Sequence, residues 1–295
     1  MGIDTGLNSL DGLDTIQSCC AKIEDMRPSV ISTSQAPLLN AIEQNLHEHI
    51  ALVQRSTPDM TVLDEGDLLV VDSGLSSNTF NKIARARLQE SEADRRTKKA
   101  LAYFTGVERP FGWWVGPGSR PLDLENRLRE HGLEATEYEP GMAMELSELP
   151  PKLDCPGDLT VRCVTCLEGL TDFASVFAAN WQPPDPAVLV FYKSAAPVLL
   201  EDRCPMKLFV GYLDDEPVAS SELFLRGRIA GLHSVCTRRE CRGRGIGSAL
   251  TWVALDYARC RGIPTAVLQS SKDGKGLYTR LGFSAYCDFA EFTTD

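Results

Sequence analysis

The sequence predicts an α/β protein of two domains, each built on a mixed sheet. Three observations carry that expectation. A chain of 295 residues exceeds one ordinary small domain and fits two of about 100–150 residues each. Runs with strand and helix periods alternate along it, and the series begins again after the proline-bracketed stretch from Pro150 to Gly157. Apolar residues at 43% and charged residues at 24% supply enough of each for two cores and a solvated surface.

Residues 1–34 are rich in Ser, Thr, Asp and Gly and poor in aromatics, which predicts a mobile or loosely docked extension. Within it, Leu10, Leu13 and Ile16 could form a short helix. The first domain is expected over 35–150. Leu38, Leu39, Ile42, Leu46, Ile50 and Val53 keep the helical period and predict a helix over 37–55. Its His47 and His49 are two apart and so face different ways, which disfavours a shared metal. TVLDEGDLLVVDSG reads as an antiparallel pair turning at Glu65-Gly66, followed by a short strand near 79–84. A charged helix is expected over 85–107, then the strand-like PFGWWVGP. Trp113 and Trp114 would there point to opposite faces, one into the core and one to a domain contact, in preference to a stacked ligand. A helix over 121–131 closed by Gly132 and an exit strand over 135–149 complete this half.

The second domain is expected over 151–295. It begins with a strand over 159–166 and a helix over 167–181. A second helix through AVLVFYKSAAPVLLE is expected to break near Pro197. A hairpin then joins 207–212 to 217–225 about the acidic turn 213–216, and 228–237 forms the next strand. A helix from Ile246 buries Ala249, Leu250, Val253, Ala254, Tyr257 and Ala258, which step by three and four. The chain closes with a short buried strand over 265–269, a helix over 272–281 stopped by Gly282, and a strand over 283–292.

Acidic side chains outnumber basic ones 41 to 30, for a net charge of −11. That balance argues against a nucleic-acid or anionic-membrane binder, which needs a basic face, and suits a cationic or amine partner as well as simple solubility. The ten cysteines are scattered without a disulfide framework and read as reduced cytosolic thiols. Cys163 and Cys166 have CxxC spacing but lack the second pair or histidines of a zinc site, so they are expected to be buried thiols on a strand, with no metal. The start of the chain has no basic segment followed by an apolar core, and no apolar run reaches a membrane span of roughly 18 residues. A cytoplasmic location is the expectation.

Arg238, Arg239, Arg242 and Arg244 crowd into seven positions of this acidic chain, inside VCTRRECRGRGIGSAL, residues 235–250. Gly243, Gly245 and Gly247 stand at the start of the helix, where unpaired N–H groups and the helix dipole favour an anion, most naturally phosphate. A Walker loop would need Lys and Ser/Thr after its last glycine, and Gly247 is followed by Ser248-Ala249. A Rossmann loop would directly follow its strand and be answered by an acidic ribose ligand, but here RREC intervenes and the next strand ends at Gln269.

Arg242-x-x-Gly245-x-Gly247 resembles the pyrophosphate-binding motif of the GNAT family, the GCN5-related N-acetyltransferases. Val235-Cys236-Thr237 ahead of the arginine and Tyr278-Thr279-Arg280-Leu281-Gly282-Phe283 near the end also resemble that family, and together these cover most of residues 159–292. The resemblance implies acetyl-CoA as co-substrate, lying in a splayed opening between the strand ending at Thr237 and the strand at 265–269. It implies that Val235, Cys236 and Thr237 pair with the pantetheine arm. Backbone N–H groups of Gly243, Arg244, Gly245, Ile246, Gly247 and Ser248 would hold the pyrophosphate. Arg238, Arg239 or Arg244 would meet the ribose phosphate or remain solvated surface charges.

The same resemblance implies direct attack by a primary amine, with the Val235 N–H a candidate oxyanion donor. Tyr278 would be the general acid for the thiolate, or else a core tyrosine. The amine needs a base, for which the sequence offers His233 and Glu222. His233 is two residues before Val235 and so is expected on its face of the strand, as base or as a structural histidine. Cys236 is expected to be inert. Many members carry a coenzyme-contacting Asn where Ser271 or Lys272 stands here.

The first half resembles a GNAT domain too, in its element order and its PFGWWVGP stretch, like the amino-terminal half of bacterial tandem GNAT proteins. ARLQESEADRR stands where its phosphate loop should lie. It holds no glycine, and its glutamates would repel a pyrophosphate, so a degenerate domain that shapes the acceptor cleft or the interface is expected. The whole then reads as two tandem GNAT-like folds, active only in the carboxy-terminal half. A small-molecule or peptide amine is the expected acceptor, with cationic amines such as polyamines, aminoglycosides or lysine side chains suggested by the acidity, and a homodimer left open. Two rivals stand beside it: an acyl-CoA-binding regulator without turnover, and an acyltransferase using a longer chain.

Overall fold

A computed structural model describes residues 36–152 and 158–294, so the expected extension over 1–34, with Cys19 and Cys20, lies outside the described residues. The first half contains α1 (Ala36–Ser56), β1 (Thr61–Asp64), β2 (Leu69–Asp72), β3 (Lys82–Ala84), α2 (Ala93–Val107), β4 (Gly112–Val115), α3 (Leu124–Glu130) and β5 (Glu134–Glu145). The second contains β6 (Thr160–Cys163), α4 (Leu167–Ala178), α5 (Pro186–Leu199), β7 (Met206–Leu213), β8 (Glu216–Arg226), β9 (Ile229–Thr237), α6 (Ile246–Cys260), β10 (Thr265–Gln269), α7 (Lys275–Leu281) and β11 (Ser284–Thr293).

All eleven strands form one mixed sheet in the order β1-β2-β3-β4-β11-β5-β10-β9-β8-β7-β6. Two neighbouring pairs are parallel, β3 with β4 and β9 with β10, each bridged by a helix, α2 and α6. The two halves share strands at the seam. β5 is bonded on one edge to β10 and on the other to β11, and β11 continues to β4. A cut near residue 150 would therefore strip β5 from both its neighbours.

Local chemistry explains most boundaries. The β7–β8 hairpin turns through Asp214 and Asp215, both at positive φ (50° and 63°), a two-residue turn whose twist matches the strands. Asp185 caps α5 by accepting the Ala187 N–H at 2.8 Å, with Pro186 in the first helical position. The helix runs through Pro197 instead of breaking there. Pro197 is exposed and only two residues from the helix end, so the carbonyl it leaves unbonded can turn to water. α2 starts later than the sequence pattern suggests because Ala86–Leu88 are bonded to Arg120 in strand fashion. α7 also starts late, since the Gly274 N–H is taken by Ser271, through both its carbonyl and its hydroxyl.

Trp113 is fully buried against α2 and α3, while Trp114 packs the opposite face against Phe289. Cys163 and Cys166 are exposed, contrary to expectation: among the described residues β6 is an edge strand paired only with β7, and Cys166 stands at the N-cap position of α4. Among the described residues no cluster of His, Cys, Asp or Glu is arranged to hold a metal, and no helix is long and apolar enough to cross a membrane.

α1 packs across the middle of one face, where Ile42 and Leu46 meet Ala143 of β5, Val267 of β10 and Phe289 of β11. Further along, Ala51 packs on Leu69 and Val71, and Val53 joins the cluster made by α4, α5 and β7. One helix thus covers strands of both halves. Its approach to β9 depends on Gly231, where an added Cβ would collide with the Asn45 amide and the His233 ring. Asn45 is buried and its Nδ2 donates to Phe224 O, so it has little room to retreat. Gly231→Val is expected to lower stability by about 1–3 kcal/mol, read as a lower urea midpoint at unchanged m-value.

Candidate functional site

The parallel pair β9/β10 is bonded only from Ile229–Thr265 to Gly231–Val267. Past that point β10 stays on β5 to Gln269, and β9 stays on β8 but carries a bulge. Ser234 has a φ of +49°, and neither it nor Val235 has a partner in the register, which resumes at Cys236–Ser220. A bulge bends a strand and strengthens its twist. The two strands therefore separate, leaving the edge of β9 from Leu232 to Thr237 unbonded on the β10 side.

The glycine-rich turn lines the mouth of this slot. Gly243 and Gly245 have φ of +75° and +80°, conformations that strain any residue with a Cβ, and Gly245 caps α6. The first helical bond runs from Ala249 N–H to Gly245 O at 3.0 Å. Before it, the N–H groups from Gly243 to Ser248 take no partner among the described residues. Six unpaired donors at the positive end of a 15-residue helix form an anion cradle. A Cβ on Gly247 would sit 3.3 Å from Thr237 Oγ1 and 3.5 Å from Leu277 Cδ1, so the third glycine keeps the cleft floor open.

A cleft of about 560 Å³ joins cradle and slot. Of the residues expected to hold the cofactor, Val235, Cys236, Thr237, Arg242, Gly243, Gly245, Ile246, Gly247 and Ser248 line it, and Tyr278 and Ser271 stand on its α7 side. Arg244 is an exposed loop residue outside the lining, and so is Lys272. Arg242 ties the loop down by donating from Nε to Thr237 O (3.0 Å) and from its terminal nitrogen to Asn180 Oδ1 (3.2 Å). Arg238 points elsewhere, donating to Pro217 O at 2.7 Å. Arg239 is exposed.

Tyr278 is 8% exposed, edge-on to Phe283. Burial pushes its phenol well above the ordinary range, with Cys236 and Glu139 adding to the effect, so it carries its proton at neutral pH. Burial also pushes the Cys236 thiol up to about 12. A thiol held protonated is a poor nucleophile.

His233 is not beside Val235. Side chains alternate along a strand, but the extra residue at Ser234 resets the phase, so Val235 packs on the α6 side and His233 faces α1. There its ring stacks on His49 at 3.7 Å, with Nε2 at 3.3 Å from Asn45 Oδ1. Burial, and secondarily His49, push it well below the usual imidazole range, so it stays neutral.

The bulge instead presents Glu222. This 2%-exposed carboxylate pairs through Oε1 with His49 Nε2, while Oε2 accepts from Tyr192 Oη (3.1 Å) and Ser234 Oγ (3.2 Å). Sequence reasoning considered His49 only as a metal ligand. Its true partner is 173 residues away, and nothing in the helical pattern signals it. These groups border a second, smaller pocket on the far side of the bulged strand.

The first half has the same elements without the opening. Past β3, Arg120 N–H donates to Ala86 O (2.7 Å) and Leu88 N–H to Arg120 O (3.1 Å), so backbone bonds occupy the place of the slot. α2 begins among Glu90, Glu92 and Asp94.

A parallel strand pair parted by a bulge, with unpaired N–H groups of a helix start at its mouth, is an arrangement suited to an anion carrying an extended arm. The profile of the acetyltransferase (GNAT) family matches residues 170–283, and the chain carries a GNAT domain over that span, in a family that transfers acyl groups from acyl-CoA. The whole fold is similar to a GCN5-related N-acetyltransferase from Kribbella flavida, with a TM-score of 0.66 and 19% identity over 86% of this chain and 95% of that one. A GCN5-related N-acetyltransferase from Sphaerobacter thermophilus gives 0.57 and 18% over 90% and 93%. A tandem GNAT protein from the clavulanic acid biosynthesis pathway gives 0.56 and 12% over 86% and 95%. No curated protein matches the sequence. Gly245→Val is expected to weaken acetyl-CoA binding at least about tenfold, since positive φ disfavours a branched side chain at the cradle; titration calorimetry checks it.

Proposed function

We propose that the protein is an N-acetyltransferase that moves an acetyl group from acetyl-CoA to a primary amine within a ternary complex, using the cleft of the carboxy-terminal half. The observation that carries this reading is the run of unpaired N–H groups from Gly243 to Ser248, opening onto the slot between β9 and β10. Pyrophosphate would sit on that cradle, and the pantetheine arm would pair with the free edge of β9 as a short extra strand. The acyl carbonyl would then lie beside Val235, whose N–H has no register partner and can donate to an oxyanion.

Glu222 takes a proton from the incoming ammonium. The neutral nitrogen attacks the acetyl carbon, forming the C–N bond and placing the carbonyl π pair on oxygen. Collapse restores the carbonyl and breaks the C–S bond, its electron pair leaving with sulfur. Tyr278 donates its proton to that thiolate, and the surplus proton on the new amide nitrogen replaces it. The net products are the acetamide, CoA–SH and one proton, which Glu222 returns to water. A buried phenol that holds its proton suits the donor role.

The first half contributes α1, with His49, to the site and no coenzyme cleft of its own. Its unbroken backbone bonding at Arg120 and its acidic helix start support the reading that it binds no coenzyme.

Tyr278→Phe is expected to lower kcat by about 10²–10⁴ with acetyl-CoA affinity unchanged; full turnover in this variant would end the assignment. Glu222→Gln is expected to cripple transfer to alkylamines far more than to O-alkylhydroxylamines, which carry no proton to lose at neutral pH. Equal losses with both acceptors, compared by CoA-thiol release, would deny Glu222 the role of base.

A further inference from the structure

The smaller pocket lies across β9 from the coenzyme cleft. Ser234 forms part of its wall, and the next residue, Val235, lines the cleft, so the bulge is the partition between the two. An acceptor seated there would meet an acyl carbon held at Val235 from the side opposite the coenzyme. The pocket is built from both halves: His49 comes from α1, Phe80 from the segment before β3, and Phe191 and Tyr192 from α5.

Its chemistry is uneven. At one end stand Glu222 and His49, and the Nδ1 of His49 is buried without a partner among the described residues. A buried polar atom with no partner calls for a ligand or a water. Most of the rest is apolar: Val53, Phe177 and Met206 line it, and Phe80 and Phe191 stack at 3.9 Å, with Gln54 and Thr79 as neutral polar neighbours. The free volume is about 80 Å³. Cavities that hold benzene are about 150 Å³, so the space suits a short branched alkyl group. The charges also select. Glu222 is the carboxylate in the lining, already shared with His49, and Lys82 also lines it with its ammonium paired to Glu291 Oε1 at 2.5 Å. A second cationic centre on an acceptor would find no unpaired carboxylate in this lining.

We propose that this pocket is the acceptor site and that it takes a compact, apolar primary monoamine, nitrogen toward Glu222 and His49 and alkyl group among Phe80, Phe177, Phe191 and Met206. The proposal rests on the acetyl-transfer reading above. It runs against the polyamines, aminoglycosides and lysine side chains that the acidity of the chain suggests, because that charge lies elsewhere than in this lining.

The test compares isobutylamine, phenethylamine, spermidine, an aminoglycoside and a lysine peptide as acceptors for the full-length protein, following CoA-thiol release. Isobutylamine is expected to give a kcat/KM at least about tenfold above the polyamine, the aminoglycoside and the peptide. Ile50 also borders the pocket. Ile50→Phe is expected to raise the isobutylamine KM about tenfold or more with acetyl-CoA affinity unchanged. Phe191→Ala, which opens space, is expected to shift preference toward phenethylamine. Faster transfer to spermidine, or a KM that neither variant moves, would overturn the acceptor assignment while leaving acetyl transfer intact. Acetyl-CoA binding with transfer to none of these amines would overturn the proposed function and this proposal with it.

Discussion

The separation of β9 from β10 is the constraint on which the rest depends. Parallel strands gain by bonding along their whole shared length, and these two stop after three residue pairs. The bulge at Ser234 turns β9 away while β8 continues to hold it, and β5 holds β10, so neither strand is left loose. The unbonded edge costs little because the slot is open to solvent, and in the proposed complex the pantetheine amides take the place of the missing strand. The same bulge shifts the side-chain phase, which puts the coenzyme cleft and the smaller pocket on opposite faces of one strand.

α1 is the second support. It lies on the seam where β5, β10 and β11 meet, and its close approach at Gly231 lets a helix from the first half deliver His49 to a carboxylate of the second. Glu222 could not remain nearly fully buried alone, because an isolated carboxylate loses its hydration. His49, Tyr192 and Ser234 supply the missing contacts from three different elements. The site is therefore a joint product of the halves.

The two halves also show what separates an open slot from a closed one. Both place a helix between parallel strands. In the first, Arg120 bonds to Ala86 and Leu88, and the helix start carries carboxylates instead of free donors beside glycine. Backbone bonding and charge act in the same direction there, since a ligand would have to displace two hydrogen bonds and approach like charge.

The local parts of this protein were legible in the sequence. Helical and strand periods located α1, the β1–β2 and β7–β8 hairpins and α6, because side-chain periodicity is a property of neighbouring residues. The glycines at 243, 245 and 247 marked the start of α6 for the same reason, and spacing within a resembling motif put Tyr278 in the same cleft. What pattern could not supply was any contact between distant segments. The insertion of β5 between β10 and β11, the burial of Glu222 against His49, and the stacking of His233 on His49 are set by packing across the seam. His233 itself marks the boundary: strand alternation put it beside Val235, and one residue in a left-handed conformation at Ser234, in a bulge against β8, moved it to the other face.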